Sequence, residues 1–347
     1  MHFRDNSKRE KFFVTYAETA TKWRRLAISL DYRNAPEGSL EEDTLDDIHF
    51  YNTVTNLRLV TTPEDGQLHV HVREDVNEIV EYPSLSLLQH VRVPLYRESD
   101  VEFVSHLSGF VYEVNVDGDH LIKKEIPGPD TIDEFLYEVN ALDALFDSEN
   151  VIKLRGLVTD EIGTVVKGLL ISYATHGALV DVIFADQGTP ALPWHRREKW
   201  AKQIVQGLSD IHEAGFVQGD FTLSNVVIDG DDNAQIIDIN RRGCPVGWEP
   251  PELHRLIRSG QRISMCIGVK TDLFQLGMVL WALAQQIDDP DLQERPLARL
   301  PNFVPPYFRD IVETCLSERP QDRWSARILL DEFPTSPSRP SHNHLSL

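Results

Sequence analysis

Hydrophobic and polar residues alternate along the first part of the chain, which is the spacing typical of β-strands. The alternation in residues 56–74 continues on both sides of Asp65 and Gly66 and predicts a β-hairpin, and residues 25–33 predict another strand. We therefore expect residues 1–99 to form a small β-rich module, whose role this pattern does not reveal.

The next part of the chain predicts two strands, a helix and two more strands. Residues 101–116 and 120–127 alternate on both sides of a turn at Asp117 and Gly118. Residues 131–146 instead repeat at helical spacing, and strands follow in residues 150–158 and 165–174. The apolar stripe of the predicted helix is Phe135, Val139, Leu142 and Leu145.

After Gly177 the pattern becomes mainly helical. Residues 194–216 have an apolar stripe and end at a helix-stopping glycine, Gly215. The stripe consists of Trp200, Ile204, Leu208 and Ile211. The predicted fold over residues 100–331 is therefore α+β, with a small β-rich lobe followed by a larger helical lobe. Residues 332–347 are rich in Ser and Pro, and we expect a disordered tail.

Composition and charge narrow the possible partners. The 347 residues include 41% hydrophobic residues, enough for a sizeable core, and the net charge is −21. This acidic balance argues against nucleic acid and anionic membranes as partners, because both are bound by clustered Lys and Arg. No uncharged apolar run approaches the ~20 residues of a membrane span. We expect an intracellular protein located in the cytoplasm, with the nucleus as the alternative.

Neither cysteine nor histidine spacing predicts a metal site. The three cysteines, Cys244, Cys266 and Cys315, are an odd number at irregular spacing, so we expect buried or inert thiols and no disulfide framework. His69 and His71 would share one face of a strand, but no third ligand is apparent. The solvated face of a hairpin is the simpler interpretation of this pair.

Oxygen-bearing side chains flank two short apolar runs in residues 215–240. Asn225 and Asp238 lie at the outer ends of two predicted strands, and Asp220 lies in the loop that leads into them. An amide and a carboxylate close together suit Mg²⁺, which takes few protein ligands and fills its remaining positions with phosphate oxygens or water. A further carboxylate could orient a hydroxyl nucleophile. This is the equipment of phosphoryl transfer.

This segment resembles the catalytic core of the eukaryotic protein kinases. Their catalytic loop has an Asp followed, after four intervening residues, by an Asn, as in Asp220 and Asn225. Asp238 matches the metal-binding Asp that follows in the family. The resemblance implies ATP and Mg²⁺ as cofactors, a protein as substrate and Asp220 as the catalytic base.

The same resemblance assigns residues to nucleotide binding. Lys124 or Lys123 would bind phosphate, with Lys124 preferred because Ile122 and Ile126 flank it, and Glu138 would pair with that lysine. Two further groups complete the implied ATP site: Gly109 and Val111 of the phosphate-covering loop, and Ser172, Tyr173 and Ala174 of the hinge that meets adenine.

Downstream residues match structural positions of the family. Glu252 in "GWEPPEL" matches the A-P-E glutamate, and Arg323 matches the arginine that pairs with it. Asp272 matches the buried aspartate of the central helix in the large lobe. The resemblance implies structural roles for Glu252 and Arg323.

The sequence also departs from the family pattern. Val104 and His106 occupy two glycine positions of the phosphate-covering loop, and side chains there hinder close approach of backbone to phosphate. Thr222 stands where many protein kinases have a lysine that faces the transferred phosphate. Asn240 replaces the last glycine of D-F-G, and a tight turn remains feasible there, since asparagine tolerates positive φ better than most residues.

The triplet before the catalytic loop differs as well. Gln218, Gly219 and Asp220 replace H-R-D, so the arginine that would bind an activation-loop phosphate is absent, and switching through it is not expected. The segment from Asp238 to Glu252 is short, with 252 − 238 = 14 positions, which leaves little room for a regulated loop.

Three functions fit these observations. The first is an active ATP-dependent kinase acting on Ser or Thr hydroxyls of proteins. The second is a catalytically weak pseudokinase that serves as a binding scaffold, favoured by the altered glycine loop. The third is a kinase-like phosphotransferase for small molecules, favoured by the glycine that precedes Asp220.

Overall fold

The computed structural model describes four N-terminal strands between residues 9 and 73 and, beyond them, residues 79–185, 192–241, 243–259, 263 and 266–334. These residues form two compact units. The first unit comprises residues 1–136 and 154–173, and the second comprises residues 137–153 and 174–347. Within the described residues, no helix has the length and apolar character needed to cross a membrane.

The N-terminal strands form one four-stranded sheet. They are β1 (Arg9–Thr19), β2 (Lys22–Asp31), β3 (Asn56–Thr61) and β4 (Leu68–Arg73), in the order β1-β2-β3-β4. The β1/β2 and β3/β4 pairs are antiparallel, whereas β2 and β3 are parallel. The predicted strand and hairpin strands are confirmed. The turn at Asp65 and Gly66 and the side chains of His69 and His71 lie outside the described residues.

A six-stranded sheet makes up most of the rest of the first unit. Its strands are β5 (Leu95–Arg97), β6 (Glu102–Ser108), β7 (Val111–Val116), β8 (Asp119–Glu125), β9 (Leu154–Thr159) and β10 (Val166–Ser172). The strand order is β5-β9-β10-β8-β7-β6. Because β5 pairs in parallel with β9, this sheet includes residues that precede the boundary expected at residue 100.

The turn between β7 and β8 follows from its sequence. Asp117 and Gly118 both have positive φ, 54° and 92°, as a two-residue type I′ hairpin turn requires. Glycine and aspartate are among the residues that adopt this conformation most readily. The turn sets the register, with Val116 opposite Asp119, and thereby places Val111 opposite Lys124.

The second unit is mainly helical. Its helices are most of α1 (Ile132–Ala144), α2 (Leu179–Ala185), α3 (Trp194–Glu213), α4 (His254–Arg258), α5 (Val269–Gln285), α6 (Pro306–Cys315) and α7 (Ala326–Asp331). A two-stranded hairpin, β11 (Val226–Ile228) with β12 (Ala234–Ile236), completes the unit.

The helical stripes predicted from the sequence lie in the core. All four stripe residues of α3 and all four residues of the first predicted stripe are buried. Helix α3 packs closely on the segment around the hairpin, since a β-carbon at Gly207 would lie 2.6 Å from the carbonyl oxygen of Asn150. Helix α5 is apolar almost all round and is buried over nearly its whole length, as expected for a central helix.

The predicted α+β class, with a β-rich lobe and a larger helical lobe, is confirmed. Helix α7 ends at Asp331, directly before the expected disordered tail of residues 332–347. Phe333 lies within that range but is buried. Residues 335–347 lie outside the described part of the chain.

Candidate active site

The β11–β12 hairpin brings Asn225 and Asp238 close together. Val226 pairs with Ile236, and the next residue, Ile237, donates its backbone N–H to the Asn225 carbonyl at 3.0 Å. Because the strands are antiparallel, residues at the outer ends of this unit in sequence lie at the same end in space. The two predicted metal ligands therefore lie at one end of the hairpin.

The Asn225 side chain also fixes the loop that carries Asp220. Its amide nitrogen Nδ2 donates to the Asp220 carbonyl at 2.5 Å, and the Thr222 N–H donates to the same oxygen at 3.1 Å. With the NH₂ group engaged, Oδ1 is the atom of this amide left to face a cation. An amide oxygen beside a carboxylate is a donor set that Mg²⁺ accepts, so these residues fit that ion.

Gln218 connects the Asp220 loop to the backbone around Asp238. Its side-chain oxygen accepts the N–H of Asp220 at 2.7 Å, and its side-chain nitrogen donates to the carbonyls of Ile237 and Asp238 at 3.1 and 3.3 Å. Its own carbonyl accepts the N–H groups of Asn240 and Arg241 at 3.3 and 3.1 Å. One fully buried side chain thus links the two segments that carry the candidate ligands.

Helix α5 binds the same loop through the side chain of Asp272. Asp272, fully buried, accepts hydrogen bonds of 2.9 Å from the N–H groups of Gln218 and Gly219 and from Nε2 of His212. These three donors compensate the carboxylate for its loss of water. The prediction that Asp272 is a buried aspartate is confirmed.

The backbone after β12 adopts positive φ on both sides of Asn240. Asp238 and Arg241 have φ of 60° and 53°, whereas Asn240 does not use the positive φ that asparagine tolerates. The hydrogen bonds of Gln218 to this segment supply the reason, because they hold it at several points at once. Such strained backbone is common at functional sites, where the surrounding structure enforces it.

In the first unit, the two candidate lysines have different surroundings. Lys123 is fully buried, and its Nζ lies 2.9 Å from Oε1 of Glu125 and 3.7 Å from Oε1 of Glu98. Lys124 is half-buried and lies on the opposite face of β8, since neighbouring strand residues face opposite ways. The contacts of Lys123 engage it within the lobe, and Lys124 stays the predicted phosphate ligand.

The phosphate-covering loop is the turn between β6 and β7. Gly109 has a φ of 49°, with no atom within 4 Å of where a β-carbon would stand. His106 Nε2 donates to the Gly109 carbonyl at 3.1 Å, and its ring lies 5.5 Å from that of Tyr112. Val104 is exposed. The imidazole therefore spans a turn that carries glycines in the family pattern.

The remaining predicted residues of the nucleotide site lie at the end of β10 and within α1. Ser172 ends β10, and the boundary between the two units falls between Tyr173 and Ala174, where the hinge was predicted. Glu138 lies in α1 and is buried.

Glu252 and Arg323 form the predicted ion pair. The guanidinium of Arg323 donates to both carboxylate oxygens of Glu252, at 2.6 and 2.7 Å. It also donates to the carbonyls of Lys270 and Ser317, at 2.8 and 2.9 Å. Arg323 is buried, and four hydrogen bonds satisfy its charge, which fits the predicted structural role.

The three cysteines are free, but they are not uniformly buried. Cys315 is buried and Cys244 partly so, whereas Cys266 is exposed, so of the two expected alternatives, buried or inert, only the second is open to Cys266. Burial raises the pKa of the Cys244 thiol to about 12, and the carboxylates of Asp220, Asp272, Glu249 and Glu252 add to the rise. Cys244 therefore stays protonated beside the candidate site. The described residues contain no cluster of three or more His, Cys, Asp or Glu side chains arranged for a metal.

Some residues of this site were not predicted from the sequence. Gln218 was noted only as a replacement, yet its side chain binds the backbone of Asp220, Ile237 and Asp238. The one signal was its position directly before Gly219 and Asp220. Tyr137, described below, was not singled out, because its partner is 80 positions away in the chain.

Comparison with known proteins identifies the family. The sequence model described as "Protein tyrosine and serine/threonine kinase" matches residues 121–333, more than half of the chain. The chain belongs to this protein kinase family, as the resemblance indicated.

Individual relatives agree with this assignment. The chain is 30% identical over 220 residues to mitogen-activated protein kinase kinase kinase 17 of Arabidopsis thaliana, a match that covers 57% of this chain and 58% of the relative. It is 26% identical over 211 residues to human eIF-2-alpha kinase GCN2, covering 60% of this chain and 12% of that protein.

A third relative is the probable serine/threonine-protein kinase PBL18 of Arabidopsis thaliana. The identity is 35% over 166 residues, covering 43% of this chain and 39% of the relative. The chain thus spans less than two thirds of the length of each of these relatives.

Proposed function

We propose that the protein is a Mg²⁺-ATP-dependent protein kinase that phosphorylates Ser or Thr hydroxyls. The observation that carries this proposal is the hydrogen bond from the Asn225 side chain to the Asp220 carbonyl. This bond joins a candidate metal ligand to the candidate base, and Asp238 directly follows Ile237, whose N–H donates to the Asn225 carbonyl. The relative PBL18, whose name describes a probable serine/threonine-protein kinase, supports the choice of hydroxyl acceptor.

In this proposal, Asp220 orients the acceptor hydroxyl and receives its proton. The hydroxyl oxygen forms a bond to the γ-phosphorus as the bond from that phosphorus to the β–γ bridging oxygen breaks, and ADP leaves. Asn225 and Asp238 would hold Mg²⁺, which would neutralise charge on the phosphates. Lys124 would bind the α- and β-phosphates, with Glu138 in the pairing role that the family resemblance implies.

A catalytically weak pseudokinase is the second candidate. His106 favours it, because the imidazole occupies the turn at Gly109 where glycines let the backbone approach phosphate closely. Exposed Val104 adds a second side chain to this loop. A scaffold of this kind would retain the kinase fold without measurable transfer.

The pairing of strand β5 with β9 supports a division of the chain into domains. We propose that residues 100–331 contain the kinase domain and that β5 extends it towards the N-terminus, because β5 pairs with β9 of the same sheet. The sheet formed by β1 to β4 would then be a separate module.

Transfer of radiolabelled phosphate tests the proposal. The purified protein is incubated with γ-labelled ATP and Mg²⁺, alone, with a panel of proteins, and with a panel of small metabolites. A kinase labels a protein of the panel or its own chain on Ser or Thr, as acid hydrolysis of the product would show. Label found only on a metabolite supports a small-molecule phosphotransferase. No label in any arm supports the pseudokinase.

A further inference from the structure

Tyr137 makes paired hydrogen bonds to the residue that precedes the Gln218 triplet. Its hydroxyl accepts the N–H of Val217 at 2.8 Å and donates to the carbonyl of the same residue at 3.3 Å. Both polar groups of one residue are therefore satisfied by a single side chain. Tyr137 lies in helix α1 directly before Glu138, so this contact joins the helix to the segment that leads to Asp220.

The surroundings of Tyr137 favour this one arrangement. Its ring meets Phe216 edge-on, with ring centroids 5.3 Å apart and an interplanar angle of 76°. Burial raises the pKa of the hydroxyl, against the opposing effects of the Val217 hydrogen bond and the Arg241 charge. The hydroxyl therefore keeps its proton at neutral pH and can donate to the carbonyl while it accepts from the amide.

Val217 is followed at once by the hydrogen bonds that organise the site. The next residue, Gln218, donates its N–H to Asp272 and binds the backbone of both Asp220 and Asp238 through its side chain. Because one peptide bond joins Val217 to Gln218, a shift of the Val217 backbone should also shift Gln218. The paired bonds of Tyr137 thus fix the position from which this network begins.

We propose that Tyr137 is a positioning residue of the phosphoryl-transfer site, whose hydroxyl fastens the part of helix α1 from residue 137 onward to the backbone just before the catalytic loop. This inference rests on the proposed kinase function. The fastening uses one neutral side chain and needs no phosphate. Position 219 is a glycine, so no arginine is present there to bind an activation-loop phosphate. A contact that needs no phosphate is consistent with that substitution.

The test compares Tyr137→Phe with Tyr307→Phe. Each change removes one hydroxyl and keeps the ring, and the Tyr307 hydroxyl donates to Glu198, at the opposite end of α3 from His212. Hydrogen exchange of the Val217 amide reports the contact directly. The value of kcat per folded molecule, with the KM for ATP and the melting temperature, reports its effect on chemistry.

We expect Tyr137→Phe to speed exchange of the Val217 amide and to lower kcat by about tenfold, while the KM for ATP changes much less. Tyr307→Phe should leave both quantities unchanged, even where it lowers the melting temperature. Unaltered exchange at Val217, or an equal kcat in both variants, would overturn the inference. If the unmodified protein transfers no phosphate, the proposed function fails, and the exchange rates alone then decide whether Tyr137 holds the loop.

Discussion

Gly219 lies directly against the backbone of Arg241, so that a β-carbon at position 219 would stand 2.4 Å from the Arg241 Cα. The N–H of Arg241 donates to the carbonyl of Gln218, 3.1 Å away, across the same contact. The segment after Asp238 is thus held against the catalytic loop by backbone contact. Glycine is required there for two reasons, its φ of 85° and the absence of space.

The first prediction concerns Gly219→Ala, with Gly163→Ala as its matched control. Both glycines have positive φ, 85° and 70°, but a β-carbon at Gly163 would meet nothing within 4 Å. Gly163→Ala should lower the unfolding free energy by about 1–2 kcal/mol, because only the positive φ disfavours a β-carbon there. Gly219→Ala should lose a further ~1–3 kcal/mol, because backbone must move. Equal losses in urea denaturation would show that the close approach does not occur.

The second prediction separates the two lysines of β8. Lys123→Met leaves Glu125 without its buried partner, although Glu98 keeps its ion pair with Lys167, and should lower the unfolding free energy by about 3–5 kcal/mol. Lys124→Met should cost much less stability but should weaken ATP binding and transfer. Denaturation and ATP titration of both variants provide the measurement. The assignment of Lys124 is wrong if ATP affinity depends on Lys123 alone among the folded variants.

The third prediction concerns the structural pair. Arg323→Ala removes four hydrogen bonds from a buried site and should lower the unfolding free energy by about 3–5 kcal/mol. Arg323→Lys should rescue only part of this, since an ammonium cannot match the paired geometry of the carboxylate. The exposed Arg327→Ala serves as the control and should be nearly neutral. A loss confined to activity, with stability intact, would contradict the structural role.

The fourth prediction is a pH dependence that arises from Cys315. Burial raises the pKa of this thiol to about 12 in the folded protein, although the Arg323 charge acts in the opposite direction. A folded-state pKa above the unfolded value of about 8.5 gives a stabilising contribution that is complete below that pH and is lost as the pH rises towards the folded pKa.

The stability of the unmodified protein should therefore fall more steeply than that of Cys315→Ala above pH 9, by up to about 1.4 kcal/mol per pH unit. Urea denaturation at a series of alkaline pH values measures the difference between the two proteins. Parallel curves would mean that the thiol does not titrate differently on folding.

Periodicity alone was enough to predict much of the fold. The stripe from Phe135 to Leu145 and that from Trp200 to Ile211 both lie in the core. The turn at Asp117 and Gly118 was also correct, because few residue pairs adopt positive φ twice in succession. These features depend on neighbours in the chain, which the sequence displays directly.

The features that the sequence did not reveal depend on distant partners. Leu121, Ile122 and Lys123 are all buried, so β8 shows no alternation that would tell which lysine faces Glu98. The turn near Asn240 is governed by Gln218, about twenty positions earlier in the chain. The paired bonds of Tyr137 cross 80 positions and have no local signal.

The Asp220→Asn variant tests the central claim most directly. Phosphate transfer from γ-labelled ATP and Mg²⁺-dependent ATP binding are measured on this variant, on the unmodified protein and on Asp310→Asn, an exposed control. We predict that Asp220→Asn loses transfer by about 10²–10⁴-fold and keeps ATP binding, while the control keeps both. Transfer by Asp220→Asn at the rate of the unmodified protein would contradict the assignment of Asp220 as the base.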